Sequence, residues 1–396
     1  LRAKPDAKKI LVIRYRFIGD TILTVPFLRN LRDAYPEAQI DVLVGPQSGE
    51  VLQGCPYIND LIYFDTTRFH KYDRGQGEKK SFWSYVFLLR NRKYDTVFIL
   101  KRSWSSALLA LFSGARARIG YATEGRQIIL TDSVPFNPDM HEVDSTLTVL
   151  ECAGIPAVNR YLESWTTAEE QTDARQALEA SCPVQDQDLK ASLSDRQFVL
   201  IHAAAAHPDK LYPLSSWARV IQDLHTDGYI PVFTGSAEDR HLYEELQQLA
   251  GVRGCNLAGK LSIRQSIAVY ELMELAICTD SGPAHLASAV GIPTLSIFGP
   301  TDPVRWRPYS ALPRMTPRTK VRVGSSSGLE STERTVEHEE RRMAKENAVV
   351  YDESLSCRPC NYNKTCRNRE CLTELSPKLV VERARQLLHS WNGARI

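Results

Sequence analysis

The sequence predicts an α/β protein of two halves, each built on a parallel sheet covered by helices. Three observations predict it. Strand-length apolar runs alternate with segments of helical period along both halves of the chain. The 396 residues exceed what one hydrophobic core usually spans. Residues 278–303, CTDSGPAHLASAVGIPTLSIFGPTDP, read as a polar turn that opens a helix and is followed by a buried strand at 292–298.

The first half opens with an apolar strand at 10–14, a tight loop at 15–19 and a helix over 20–35, where Ile22, Val25, Leu28 and Leu31 recur at helical spacing. Pro26 falls inside that helix and should kink it or mark its first turn. Strands are expected at 40–44, 61–64 and 96–100, with helical stretches such as 82–92 between them. A helix at 147–153 ends at Gly154 and Pro156. Another covers 166–180, and the polar segment 183–196 is expected to hold the connection between the halves. The second series runs strand 198–202, helix 215–224, strand 230–234, helix 238–249 and a strand at 272–277 before the turn. Residues 314–346 are polar and densely charged and read as a mobile insertion. A helix at 377–391 follows, with Ser376 as N-cap and Pro377 at its first position.

Composition is that of a globular protein, 43% hydrophobic and 24% charged, with a net charge of +2. No apolar run approaches the roughly 20 residues that cross a bilayer. Residues 1–9 are charged and the apolar run behind them is short, so no secretory signal pattern is seen. The expectation is a soluble cytoplasmic protein. Residues 1–160 carry 22 Lys+Arg against 17 Asp+Glu, or +5, and the remainder carries −3. This asymmetry is too small for general nucleic-acid binding and suits an anionic ligand on the first half, or scattered solvated charge.

The strongest local chemistry lies at the turn Asp280, Ser281, Gly282. The first N–H groups of a helix have no internal partner and the macrodipole adds positive potential, so a phosphate is welcome there. His285 lies three residues on, near the same helix end. Asp280 or Ser281 capping the helix is the plainer alternative. In the first loop, RYRFIGDT, neither glycine-rich dinucleotide fingerprint occurs. What remains is Gly19 and Asp20 at a strand-to-helix turn, with Arg14 and Arg16 nearby. Asp20 there is either a base for a bound hydroxyl or an ordinary N-cap. Lys210, after the strand at 198–202, would bring a point charge to a phosphate at Ser281. Glu238 follows the next strand in a position where acidic residues contact a ribose. Together these describe one nucleotide-diphosphate site at the strand ends of the second half.

The stretches IGDTILTVPFLRNLRDAYPEAQIDVLV, KLYPLSSWARVI, GSAEDR and TDSGPAHLASAVGIPTLSIFGPTDP resemble the ADP-heptose:lipopolysaccharide heptosyltransferases, glycosyltransferase family nine, of the GT-B fold. The resemblance covers nearly all of the chain outside the polar insertion. ARIGY at 117–121 and CRPC at 357–360 are similar to members of the second-heptosyltransferase type.

The resemblance implies two Rossmann-like domains facing a cleft: an acceptor domain at 1–165, a nucleotide-sugar domain at 190–375, and a C-terminal helix at 376–396 packing back on the first. It implies Asp20 as catalytic base with Gly19 beside the acceptor. It implies donor binding by Lys210, Glu238, Asp280, Ser281, Gly282 and His285, with Ser281 keeping the hydroxyl where many members have Thr. The implied partners are an ADP-heptose donor and a lipopolysaccharide core or related glycan acceptor at the inner membrane face. No nucleic acid, cofactor or transmembrane segment is implied.

The implied reaction inverts the sugar and needs no metal, because Lys210 and the helix end stabilise the departing diphosphate. Arg14, Arg16, Lys101 and Arg102, near strand ends of the first half, are expected to grip acceptor phosphates or to be simply solvated. Two other classes stay open: a non-catalytic nucleotide-sugar binder and a sugar-nucleotide epimerase. Of the nine cysteines, five are dispersed and read as buried small apolar residues. Cys357, Cys360, Cys366 and Cys371 form C-x2-C-x5-C-x4-C, whose middle spacing is shorter than usual for a zinc ribbon, and they are read as a structural loop ahead of a zinc site because the segment resembles a family feature without a metal role. Disulfides are disfavoured for a cytoplasmic chain.

Overall fold

The computed structural model describes residues 6–65, 80–182, 197–309, 347–362, 366 and 368–393. The expected insertion at 314–346 and the connection at 183–196 lie outside them. Six strands form the first sheet: β1 (Lys9–Ile13), β2 (Gln39–Val44), β3 (Asp60–Tyr63), β4 (Thr96–Ile99), β5 (Ala117–Tyr121) and β6 (Asp132–Val134). Six form the second: β7 (Phe198–His202), β8 (Ile230–Phe233), β9 (Cys255–Asn256), β10 (Leu275–Thr279), β11 (Thr294–Ile297) and β12 (Asn347–Val350). All pairings are parallel. The orders are β3-β2-β1-β4-β5-β6 and β12-β11-β10-β7-β8-β9. Counted from its own first strand, each sheet therefore has the 3-2-1-4-5-6 order of a Rossmann fold. In such sheets the direction of winding reverses between the first and fourth strands, and ligands bind outside the carboxyl ends there. For this chain those strands are β1 and β4 in one sheet, β7 and β10 in the other.

Both sheets are buried on two faces, which is why their strands are continuous apolar runs. Alternate residues of β7 divide between two clusters: Phe198 and Leu200 join the core that continues to the first sheet, while Val199 and Ile201 face the opposite side. The expected helix over 20–35 is two helices, Ile18–Ile22 and Val25–Ala34, with Pro26 in the first turn of the second. The strands β5, β6, β9 and β12 and the helices Trp104–Phe112 and Ile263–Tyr270 were not expected. β5 has an arginine and a glycine among its five positions and β9 has two residues, so neither shows a strand period.

The C-terminal helix, Pro377–Gly393, corrects the expectation that it returns to the first half. Its Val380, Val381, Ala384, Leu387 and Leu388 join the cluster on the outer face of the second sheet with Val199, Ile277, Leu295 and Val350. Trp391 Nε1 donates to Glu274 at 2.9 Å and Arg385 pairs with Asp227 at 2.7 Å, both on the second half. The apolar stripe is buried on the sheet face nearest in sequence, which would otherwise meet water. The exchange between halves is made by helix Ala168–Ser181. It packs on helix Ile263–Tyr270, with Glu170 paired to Arg264 at 2.7 Å and Thr166 donating to Glu271 at 2.8 Å. Cys182, at the end of that helix, is disulfide-bonded to Cys255 of β9, so the reading of these two as reduced apolar residues is also corrected. Among the described residues no helix is long and apolar enough to cross a membrane.

If the C-terminal helix closes the second sheet, Leu387→Ala should cost about 2–5 kcal/mol of stability, as large-to-small core changes do. Urea unfolding checks this, and a loss below about 1 kcal/mol would mean that the stripe is not part of a core.

Candidate active site

The loop after β1 carries strain. Arg16 (φ 107°) and Phe17 (φ 46°) both have positive φ, a region that costs non-glycine residues free energy. The loop turns directly into helix Ile18–Ile22, and the N-cap of that helix is Phe17, with no side-chain cap bond. Asp20 therefore lies inside the first turn, and the plain capping reading does not describe it. Its backbone carbonyl accepts from Arg14 Nε at 3.2 Å and Thr24 Oγ1 at 2.9 Å. Its carboxylate, 22% exposed, lies 3.6 Å from Arg14 Nη2.

Arg14 is buried and engaged: Nη1 donates to the Leu100 carbonyl at 2.8 Å and Nη2 to Glu142 Oε1 at 2.8 Å. It is a wall of the site beneath Asp20. This corrects the expectation that it grips an acceptor phosphate, since a guanidinium committed to internal partners has little to offer outside. Burial pushes the Asp20 carboxyl above its ordinary range; Arg14 opposes this, Glu142 adds to it, and Lys101 and Arg102 oppose it. Lys101 and Arg102 follow β4, the neighbour of β1. Lys101 is half-buried, and burial lowers its pKa to about 8, with Asp20 pulling the other way. Arg102 is exposed and lies over the Phe136 ring at 3.8 Å. Arg126 holds this loop from below, donating to the carbonyls of Lys101 at 3.0 Å and Ser103 at 3.2 Å.

Across the cleft, β10 ends at Thr279 and helix Gly282–Val290 begins three residues later. Ser281 is the N-cap in extended conformation, but its side chain makes no cap bond; its hydroxyl donates to the Thr279 carbonyl at 3.2 Å. Asp280 is buried and does not cap either. Its Oδ2 is 2.7 Å from Lys210 Nζ and accepts from Thr301 Oγ1 at 2.5 Å. Lys210 Nζ also donates to the Asp280 carbonyl at 3.0 Å. Burial works against the Lys210 charge, but Asp280 outweighs it and the pKa is raised. Asp280 thus positions the ammonium at the helix end. Tyr362, its ring tilted against His207 at 4.2 Å between centroids, faces the same ammonium, which lies 5.9 Å from the Tyr362 centroid. Glu238 is exposed in the short turn Ala237–Asp239 after β8, and its neighbour Asp239 takes the capping role, accepting from Ser236 N at 2.7 Å.

The two halves of the site touch through glycines. A Cβ on Gly19 would lie 2.9 Å from His285 Cδ2, and one on Gly282 would lie 3.4 Å from Gly19 N. At Gly19 the absence of a side chain lets the Asp20 loop and the helix N-terminus approach this closely. His285 is 5% exposed, its Nδ1 is buried without a partner, and burial lowers its pKa to about 3.

Sequence reasoning missed the groups that join the halves. His141, Glu142 and Asp144 open helix Glu142–Cys152 and reach helix Pro303–Trp306 and the segment after it. His141 Nε2 is 2.9 Å from the Arg307 carbonyl, Glu142 Oε2 accepts from Arg305 Nη2 at 2.5 Å, and Asp144 accepts from Tyr309 at 2.7 Å. The available signal was a Glu and an Asp at the start of an otherwise apolar helix. Cys357, Cys360, Cys366 and Cys371 are free thiols of mixed exposure, and among the described residues no cluster of three or more His, Cys, Asp or Glu could hold a metal.

The model of glycosyltransferase family 9 (heptosyltransferase) matches residues 83–319, more than half of the chain. The chain belongs to glycosyltransferase family 9. It is a glycosyltransferase with two Rossmann-like domains in the GT-B arrangement. It is 30% identical over 307 residues to lipopolysaccharide heptosyltransferase 3 of Escherichia coli, covering 74% of this chain and 84% of that protein. In fold it is similar to the family 9 glycosyl transferase of Veillonella parvula, with a TM-score of 0.77, 22% identity and coverage of 98% and 99% of the two chains. It is also similar to the E. coli ADP-heptose lipopolysaccharide heptosyltransferase II, with a TM-score of 0.67, 20% identity and coverage of 96% and 98%. The family match includes Lys210, Glu238 and the 280–285 turn of this glycosyltransferase. It begins beyond Asp20.

Burial of neutral imidazoles makes this family 9 enzyme acid-sensitive in a defined direction. His285 and His202 have folded pKa values lowered to about 3 and about 4, below the ordinary 6.5. Below pH 6.5 the unfolded chain binds protons that the folded chain refuses, so stability falls as pH drops from there toward those values. Urea midpoints against pH should show this slope, and His285→Gln should flatten it by up to about 1.4 kcal/mol per pH unit. An unchanged slope would mean that the imidazole titrates normally.

Proposed function

We propose that this enzyme transfers a heptose from an ADP-sugar to a lipopolysaccharide core or related glycan acceptor, by an inverting displacement that requires no metal. The observation that carries this reading is the opposition of Asp20 to the Ser281–Gly282 helix end, with Gly19 and Gly282 in near contact between them. The names of the relatives, lipopolysaccharide heptosyltransferase 3 and ADP-heptose lipopolysaccharide heptosyltransferase II, suggest the sugar, the nucleotide and the acceptor.

Displacing a nucleoside diphosphate leaves negative charge on its phosphate oxygens. The free N–H groups of the helix end and the Lys210 ammonium, held by Asp280, supply fixed positive charge at that point. This charge is in place before the reaction and replaces what a divalent cation would otherwise provide. Asp20 lies on the acceptor side, with a carboxyl whose pKa burial raises, and takes the proton of the attacking hydroxyl. Attack from the Asp20 side with departure toward Lys210 inverts the anomeric centre. Glu238 faces the nucleoside from β8. Lys101 and Arg102, with Arg16, offer charge to an anionic acceptor, which fits the positive balance of residues 1–160. The enzyme works at the cytoplasmic side of the inner membrane, where that acceptor is built.

Asp20→Asn keeps the shape and removes the proton acceptor. Its melting temperature and ADP affinity should be nearly unchanged, and transfer should fall by about 10²–10⁴-fold. Transfer within a few-fold of wild type would assign the base elsewhere. Lys210→Ala should weaken ADP binding about ten- to a hundredfold, the cost of one charge-assisted hydrogen bond, and calorimetry checks it. An unaltered affinity would move the diphosphate away from the helix end.

A further inference from the structure

Asp20 is the end of a chain of buried charges that crosses between the domains. Glu142 is 3% exposed and divides its carboxylate between two arginines. Oε1 accepts from Arg14 Nη2 at 2.8 Å, and Oε2 accepts from Arg305 Nη2 at 2.5 Å. Arg14 belongs to the first sheet and Arg305 to the segment after β11 of the second. The same Arg14 nitrogen that serves Glu142 is 3.6 Å from Asp20 Oδ1. Two carboxylates thus share one guanidinium. Arg305, whose Nη1 also donates to the Pro138 carbonyl at 3.1 Å, is the second counterion of the pair.

We propose that Glu142 is a positioning residue that couples closure of the two domains to the ionisation of Asp20, through the series Arg305, Glu142, Arg14, Asp20. The inference rests on the reading of Asp20 as the base. With the domains together, Arg305 balances Glu142, and Arg14 is left available to the Asp20 carboxylate. With Arg305 withdrawn, Glu142 is an uncompensated buried anion. It then draws Arg14 wholly to itself and places its own negative charge against Asp20, which favours a protonated Asp20. The base would be ready only in the closed enzyme, where a donor and an acceptor hydroxyl meet.

The groups acting on the Asp20 carboxyl are Arg14, Glu142, Lys101 and Arg102. The segments packed against its helix add Glu50, from turn Ser48–Leu52, and His285. Of all these, Glu142 is the one that also bonds to the other domain. Burial works against the Glu142 charge, and Arg14 and Arg305 together hold it ionised.

The test is the acid limb of the pH–rate profile for transfer, with ADP-heptose and purified lipopolysaccharide core as substrates. Glu142→Gln removes the competing anion and should move the limb down by about one pH unit. Arg305→Gln leaves Glu142 unbalanced and should move it up by a similar amount, whereas Arg305→Lys should restore the wild-type position. Tyr309→Phe breaks another contact between the domains, the one to Asp144, and should leave the limb where it is. Melting temperatures identify any variant that does not fold. If Glu142→Gln is such a variant, the Arg305→Gln and Arg305→Lys pair decides. Limbs that coincide with wild type, or that move together in one direction, overturn the coupling. Asp20→Asn separates the two readings: if its residual rate keeps the limb, the base assignment is wrong, and if the limb is lost while the Glu142 and Arg305 variants match wild type, only the coupling fails.

Discussion

The structure depends on the close approach of two strand ends across the domains, the loop after β1 and the helix N-terminus after β10. Gly19 and Gly282 meet there at a distance that a side chain on Gly19 would not allow. This contact brings a carboxylate to within reach of a cationic helix end without pairing the two. Its geometry follows from the sheets. Both wind in the same order, so both leave their loops at the carboxyl ends of their first and fourth strands. With these ends facing each other, two such sheets turn two ordinary crevices into one.

What holds the crevice in shape is a set of buried ions that lie behind Asp20 and the helix end. Lys210 is fixed by Asp280, which Thr301 fixes in turn. Arg14 is fixed by Leu100 and Glu142, and Glu142 by Arg305. Buried ion pairs are poor sources of net stability because desolvation offsets their attraction. They are good at specifying orientation, since each charge has one low-energy arrangement. Here they set the direction of the Lys210 ammonium at the helix end and the surroundings of the Asp20 carboxylate across from it.

The helices that join the halves divide this work. Helix Ala168–Ser181 leaves the first domain and packs on the second, where the Glu170–Arg264 pair and the disulfide to Cys255 tether it. The C-terminal helix seals the outer face of the second sheet. The halves therefore meet through helix Ala168–Ser181, the glycine contact, the apolar cluster that continues from the second sheet to the first, and the polar latch at His141, Glu142 and Asp144. Polar contacts of this kind can be remade in a new arrangement more readily than a packed apolar interface, which suits an enzyme that must admit two substrates.

Much of this was written locally. Apolar runs of strand length, the Pro26 break and the strand–turn–helix at residues 278–298 each follow from nearest-neighbour chemistry, so the sequence alone determined two parallel α/β halves. It also determined the helix end at Ser281–Gly282 and a carboxylate at Asp20. The short strands β6 and β9 escaped because they carry too few residues for a period. Tertiary structure alone decided that Asp20 sits inside its helix, that Arg14 is an internal partner, and that the C-terminal helix stays with the second sheet. It also decided that Glu142 and Arg305, 163 positions apart, share one bond. An ion pair between distant residues leaves no periodicity in the chain; it exists only once two sheets have fixed where the charges are buried.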